Sequence, residues 1–203
     1  MTEIRIRDGV FSISEEDKEN LRELYCSNNQ LSSLPPEIGN LKNLRELDCS
    51  YNQLSSLPPE IGNLENLRNL WCSDNQLSSL PPEIGNLENL REVDCSGNQL
   101  SSLPPTVGNL ENLQKLLCYS NQLSSLPPEI GNLSNLRELY CYNNQLPPSF
   151  DLKKLRTIAK IRRFMAGIIL SNSLERRYLE YKYNPDRNMN KIKEMRGSEM
   201  WED

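Results

Sequence analysis

Histidine is absent from the 203 residues. With it go Ser-His-Asp and Cys-His catalysis and every histidine-ligated metal site. Long apolar runs are missing too: the longest, Phe164 to Leu170, is seven residues, far below the ~20 that span a membrane as a helix. The first residues, Met1-Thr2-Glu3-Ile4-Arg5-Ile6-Arg7-Asp8-Gly9, carry charge where a secretion signal needs an apolar core. The expectation is therefore a soluble protein of the cytoplasm. The nine glycines form no dinucleotide or phosphate-binding loop. Asn132-Leu133-Ser134 is a formal glycosylation sequon that reads as chance without a secretion signal. The carboxylates show no pairing into acid and base roles. These absences exclude the common enzyme classes, and no cofactor or metal is expected.

The charge that is present is unevenly placed. Residues 1–151 hold 10 basic and 21 acidic side chains, whereas residues 152–203 hold 13 basic and 7 acidic. An acidic body with a basic tail suggests two roles or two partners.

Self-similarity dominates the body. Leu21-Arg22-Glu23-Leu24-Tyr25-Cys26-Ser27-Asn28-Asn29-Gln30-Leu31 returns 23 residues later as Leu44-Arg45-Glu46-Leu47-Asp48-Cys49-Ser50-Tyr51-Asn52-Gln53-Leu54, and restarts at Leu67, Leu90, Leu113 and Leu136. Five full units cover residues 21–135, and a sixth is cut short where Pro147-Pro148 follows Leu146. A fixed period of 20–29 residues with L-x-x-L-x-L/C-x-x-N-x-L defines a leucine-rich repeat. Within each unit, Leu21, Leu24, Cys26 and Leu31 point inward, and Leu24-Tyr25-Cys26 reads as a short strand pairing in parallel with its neighbours. Asn29, Asn52, Asn75, Asn98, Asn121 and Asn144 form a ladder whose buried amides satisfy the backbone where strand bends into loop. Leu34, Ile38 and Leu41 fill the opposite side, and Pro35-Pro36 with Gly39 limits any helix there to a short turn. No unit can bury its apolar face alone; stacking does that.

The segment Leu31-Ser32-Ser33-Leu34-Pro35-Pro36-Glu37-Ile38-Gly39-Asn40-Leu41 resembles the 23-residue class of intracellular leucine-rich repeat proteins, the group of the Ras-suppressor and scribble-like scaffolds. The resemblance covers about two thirds of the chain. It implies an α/β solenoid with short parallel strands on a concave face and irregular or short-helical structure on the convex one. It also implies an interaction scaffold. Cysteine in place of leucine at one core position of every unit is a departure from the class.

Cys26, Cys49, Cys72, Cys95, Cys118 and Cys141 recur every 23 residues. Neighbouring positions of a ladder lie close enough for a disulfide, yet side chains stacked in parallel point the same way and suit the bridge dihedral poorly. A straight column does not converge on a zinc ion either. These are read as small, buried, reduced thiols.

Variation among the units concentrates on three columns of the strand and the turn after it, expected to face outward on the concave side, where a partner would bind. The first reads Tyr25, Asp48, Trp71, Asp94, Leu117, Tyr140; the second Asn28, Tyr51, Asp74, Gly97, Ser120, Asn143; the third is serine in four units, then Tyr119 and Tyr142. Glu23, Glu46, Glu92 and Glu138 lie nearby, partly offset by Arg22, Arg45, Arg68, Arg91 and Arg137. Aromatic anchors within an acidic face suit a protein or peptide of basic character. The candidate partner-binding residues are Tyr25, Asp48, Tyr51, Trp71, Asp74, Asp94, Tyr119, Tyr140 and Tyr142. The alternative is a solvated sheet with incidental aromatics.

A solenoid must cover its ends. Ile4, Ile6, Phe11 and Ile13 around Asp8-Gly9 read as a hairpin, and Ser14-Glu15-Glu16-Asp17 as a capped helix start. Residues 1–20 are thus the N-terminal cap and residues 21–151 the repeats. Residues 152–203 form a basic tail whose Leu152, Leu155, Ile158, Ile161, Met165 and Ile168 recur at helical spacing. Its first role is a helical C-terminal cap. Lys153, Lys154, Arg156, Lys160, Arg162 and Arg163 crowd the other helix face, and a second reading has them contact nucleic acid or an anionic membrane, with the repeat as rigid carrier. From Ser171 to Pro185 the tail resembles short helical tails of giant DNA virus proteins. That resemblance implies a viral protein acting in the cytoplasm or nucleus of a host cell.

Overall fold

In the computed structural model the described residues are 5–7, 10–12 and 19–146. The basic face from Lys153 to Arg163, the expected C-terminal helical cap and the Ser171–Pro185 element lie outside them.

Strands β1 (Arg5–Arg7) and β2 (Val10–Ser12) pair antiparallel, with Ile6 opposite Phe11. Asp8 and Gly9, which come between them in the sequence, and the helix start expected over Ser14-Glu15-Glu16-Asp17 lie outside the described residues. Glu19 and Asn20 are helical and lead into the first repeat.

The repeats build one six-stranded parallel sheet in strict chain order, from β3 (Glu23–Tyr25) through β4 (Glu46–Asp48), β5 (Asn69–Trp71), β6 (Glu92–Asp94) and β7 (Lys115–Leu117) to β8 (Glu138–Tyr140). The register is that of the sequence period: Leu24 opposes Leu47, which opposes Leu70, then Val93, Leu116 and Leu139. Each strand is only three residues long, with its middle residue buried and its flanking residues facing outward. The return path of each of the first five units runs through a 3₁₀ turn: Pro36–Asn40, Pro59–Asn63, Pro82–Asn86, Pro105–Asn109 and Pro128–Asn132. Proline at the start of the turn presets φ without removing a needed hydrogen bond.

The core lies between sheet and turns and repeats with the sequence. In the third unit Leu67, Leu70, Cys72, Leu77, Leu80, Ile84 and Leu87 are all buried. Each leucine or isoleucine so buried contributes about 1.5–3 kcal/mol relative to exposure. The six cysteines are buried free thiols. Burial pushes the Cys26 and Cys141 thiols up to about 12 and holds the four between them higher than an ordinary thiol.

The asparagine ladder explains why stacking is in register. Asn75 Nδ2 donates to the carbonyls of Cys72 (3.2 Å) and Ser73 (3.1 Å) in its own unit and of Cys49 (3.0 Å) in the unit before. Its Oδ1 accepts from the Leu54 N–H at 3.0 Å. Asn52, Asn98 and Asn121 are placed alike and buried. Asn29 departs from the expectation of a buried amide: it is exposed, and among the described residues its Nδ2 donates to Ser27 O alone, at 2.8 Å. The physical reason is its place in the first unit. Each ladder amide serves the repeat that precedes it, and Asn29 has no such repeat.

Candidate interaction surface

Two outward rows of the sheet carry side chains that interlock. The row opening each strand reads Glu23, Glu46, Asn69, Glu92, Lys115, Glu138; the row closing it reads Tyr25, Asp48, Trp71, Asp94, Leu117, Tyr140. Tyr25 donates its hydroxyl to Glu46 Oε2 at 2.6 Å, and the Trp71 indole N–H donates to Glu92 Oε1 at 3.1 Å. Lys115 Nζ sits 3.2 Å from that same Glu92 oxygen, and Asn69 Nδ2 donates to Glu46 Oε1 at 3.1 Å. Glu46 and Glu92 are therefore taken up in holding aromatic rings. The bond to Glu46 pushes the Tyr25 hydroxyl up to about 12. Partial burial works against the Lys115 charge, but the Glu92 carboxylate outweighs it and holds the ammonium above its ordinary range.

Asp48 and Asp94 are used differently. Asp48 Oδ1 accepts from Ser50 N–H at 2.9 Å, and Asp94 Oδ1 accepts from Ser96 N–H at 3.0 Å and from Ser96 Oγ at 2.5 Å. Only one oxygen of each carboxylate is engaged among the described residues. Both residues are half-buried and stand in register on the strands either side of Trp71.

The turn beyond the strand has a demanding backbone. Asn28, Tyr51, Asp74, Gly97, Ser120 and Asn143 all have positive φ, between 53° and 63°. Five of the six are Asn, Asp, Gly or Ser, residues that are small or can bond locally in this conformation, so much of the variation in this column answers the backbone rather than a ligand. Tyr51 is the exception. It is bulky, 62% exposed and held in the left-handed region, and the Asp74 carboxylate raises its hydroxyl pKa.

The serine column corrects the expectation of three outward columns. Ser50, Ser73 and Ser96 are buried. Alternation between core and face holds only within the strand, which ends two residues earlier at Asp48, Trp71 or Asp94. Past that point the chain turns in beneath the asparagine ladder. Tyrosine is too large for this place, so Tyr119 and Tyr142 remain half-buried and stack on each other, 4.8 Å between centroids and 9° between planes.

Of the nine residues expected to bind a partner, Tyr25, Tyr51 and Asp74 are exposed. Asp48, Trp71, Asp94, Tyr119, Tyr140 and Tyr142 are half-buried, and all nine lie on the sheet or the turn following it. Among the described residues the ion pairs are Lys42–Glu65 and Lys115–Glu92; no arginine of the Arg22 column neutralises the acidic rows by direct contact. Sequence reasoning missed that Glu46 and Glu92 orient the rings. It also missed a second asparagine column, Asn43, Asn66, Asn89, Asn112 and Asn135, whose amides bond the carbonyl 24 residues earlier. The unbroken recurrence of that asparagine was the available signal. Among the described residues no helix is long and apolar enough to cross a membrane.

Comparison with known proteins gives a consistent picture. The profile described as "Leucine-rich repeat region" matches residues 60–202, and "Leucine Rich repeats (2 copies)" matches residues 19–63. No curated protein sequence matches significantly. Among solved structures, a leucine-rich repeat protein of Leptospira interrogans is similar at 39% identity and a TM-score of 0.65, over 70% of this chain and 36% of that one. The ectodomain of the membrane receptor kinase GASSHO1/SCHENGEN3 from Arabidopsis thaliana, in complex with casparian strip integrity factor 2, is similar at 33% identity and a TM-score of 0.59, over 63% of this chain and 16% of that one. A TDR receptor is similar at 38% identity and a TM-score of 0.59, over 63% and 23%. The chain thus spans little more than a third of the first relative and less of the other two.

Proposed function

The chain belongs to the leucine-rich repeat family, and from that premise we propose that it is a non-enzymatic interaction scaffold that grips a protein or peptide on the outer face of its sheet. The observation that carries this reading is the fixed, partly exposed aromatic row: Trp71 and Tyr25 are held by hydrogen bonds to carboxylates rather than packed away. A ring immobilised before binding loses little entropy on binding, which is what an interface anchor needs. The relative from Arabidopsis thaliana, seen in complex with casparian strip integrity factor 2, supports a partner of this class. The surplus of carboxylates around the anchors favours a partner of basic character.

Replacing Trp71 and Tyr140 together by alanine tests the reading, because neither residue belongs to the core. Quantitative affinity capture from cell lysate should lose partners with the double variant. A captured partner should bind at least about 2 kcal/mol more weakly if either ring is a hot spot, while circular dichroism stays unchanged. Equal capture by both chains would overturn it.

A further inference from the structure

The Trp71 ring is flanked in register by Asp48 on one strand and Asp94 on the other, each one strand spacing away, about 4.8 Å. Its edge is pinned by the N–H bond to Glu92 Oε1. That oxygen is itself 3.2 Å from Lys115 Nζ. Asp48 and Asp94 each commit one oxygen to the turn that follows. Among the described residues Glu46 and Glu92 are thus occupied with the protein's own donors, whereas the pair Asp48 and Asp94 has acceptor capacity left over. That pair brackets an indole, the aromatic group that attracts cations most strongly. A planar guanidinium suits the place better than an ammonium. It stacks on the ring face and directs its N–H groups outward in the ring plane, toward carboxylates on both sides.

Resting on the reading of the sheet as an interaction face, we propose that the Trp71 ring, between Asp48 and Asp94, is the seat for an arginine side chain of a basic protein or peptide partner. Charge complementarity selects this occupant. Lys115 is the one cation in the two outward rows, against Glu23, Glu46, Asp48, Glu92, Asp94 and Glu138, and it is already paired. A partner carrying arginine supplies what the face lacks.

The test uses the full chain and a capped hexapeptide alternating glycine and arginine, with an otherwise identical peptide carrying neutral citrulline, measured by isothermal titration calorimetry. Asp48→Asn/Asp94→Asn retains the Oδ1 acceptors that the turns use, so it should fold normally. Glu23→Gln/Glu138→Gln removes the same charge from the same face away from Trp71. Expected are binding of the arginine peptide, at least tenfold weaker binding of the citrulline peptide, and at least tenfold loss in the Asp48/Asp94 variant and in Trp71→Leu. The Glu23/Glu138 variant should change affinity less than threefold. No binding of the arginine peptide, equal binding of both peptides, or equal loss in the two charge variants would overturn the proposal. A partner lost with Trp71→Ala/Tyr140→Ala but indifferent to Asp48→Asn/Asp94→Asn would also remove the arginine seat, while leaving the sheet as the interaction face.

Discussion

Asn75 and Asn29 are the same residue in the same motif with different physical roles. Asn75 joins two units through three donated bonds and one accepted bond in a place closed to water. Truncation there leaves a buried N–H and several carbonyls short of a partner, a loss water cannot make good. Asn75→Ala should lower unfolding free energy by at least about 2 kcal/mol in urea melts, whereas Asn29→Ala, at an exposed amide with one local bond, should stay within about 0.5 kcal/mol. Equal losses would contradict the ladder's direction. The motif letter was legible in the sequence; its unequal worth was not, because worth depends on whether a preceding unit exists.

The 3₁₀ turns pack against one another through glycine. A Cβ added to Gly62 would stand 2.5 Å from the Glu83 carbonyl oxygen and 2.7 Å from its Cβ, both in the next turn. Gly39, Gly85 and Gly108 meet the next turn in the same way. Here glycine is required by close approach of two backbones rather than by a positive φ. A backbone oxygen cannot swing aside as a side-chain tip can, so Gly62→Ala must push two units apart and disturb both the 3₁₀ stack and the sheet register across from it. Gly62→Ala should destabilise by roughly 1–3 kcal/mol, as overpacking does, seen as a lower urea midpoint with an unchanged far-ultraviolet spectrum. Gly97 has positive φ and is a turn residue of a different kind.

The column of six thiols runs through every repeat and ties the stability of the whole array to pH. An unfolded chain ionises its cysteines once pH passes their ordinary value near 9. The folded chain keeps Cys26 and Cys141 protonated up to about 12, because burial disfavours the thiolate, and the inner four are raised in the same sense. Above the unfolded value the unfolded state has therefore released protons that the folded state retains. Stability contributed by the thiols is intact below about pH 9 and falls as pH rises through the folded values. The slope is about 1.4 kcal/mol per thiol per pH unit. Thermal melts should hold steady between pH 7 and 8.5 and drop steeply above pH 9. At pH 8 a disulfide reagent such as DTNB should titrate none of the six thiols in the native chain and all of them in guanidinium chloride. A native thiol that reacts readily would contradict the buried column.

The repeat period, the inward positions Leu24 and Cys26, the proline-led turn and the row of varying aromatics were legible in the residues alone. Each is copied unit by unit, and a copied pattern of apolar and punctuating residues admits one way of stacking. Tertiary structure decided which groups of the outer face are occupied. Tyr25 finds Glu46 and Trp71 finds Glu92, each 21 residues away, while Asp48 and Asp94 turn one oxygen toward their own turns. Tertiary structure also buried Ser50, Ser73 and Ser96, which strand alternation had placed outside. The reason is common to these cases: hydrogen-bond partners and burial are set by the neighbouring unit across a strand spacing, and the letters of one unit do not contain the geometry of the next.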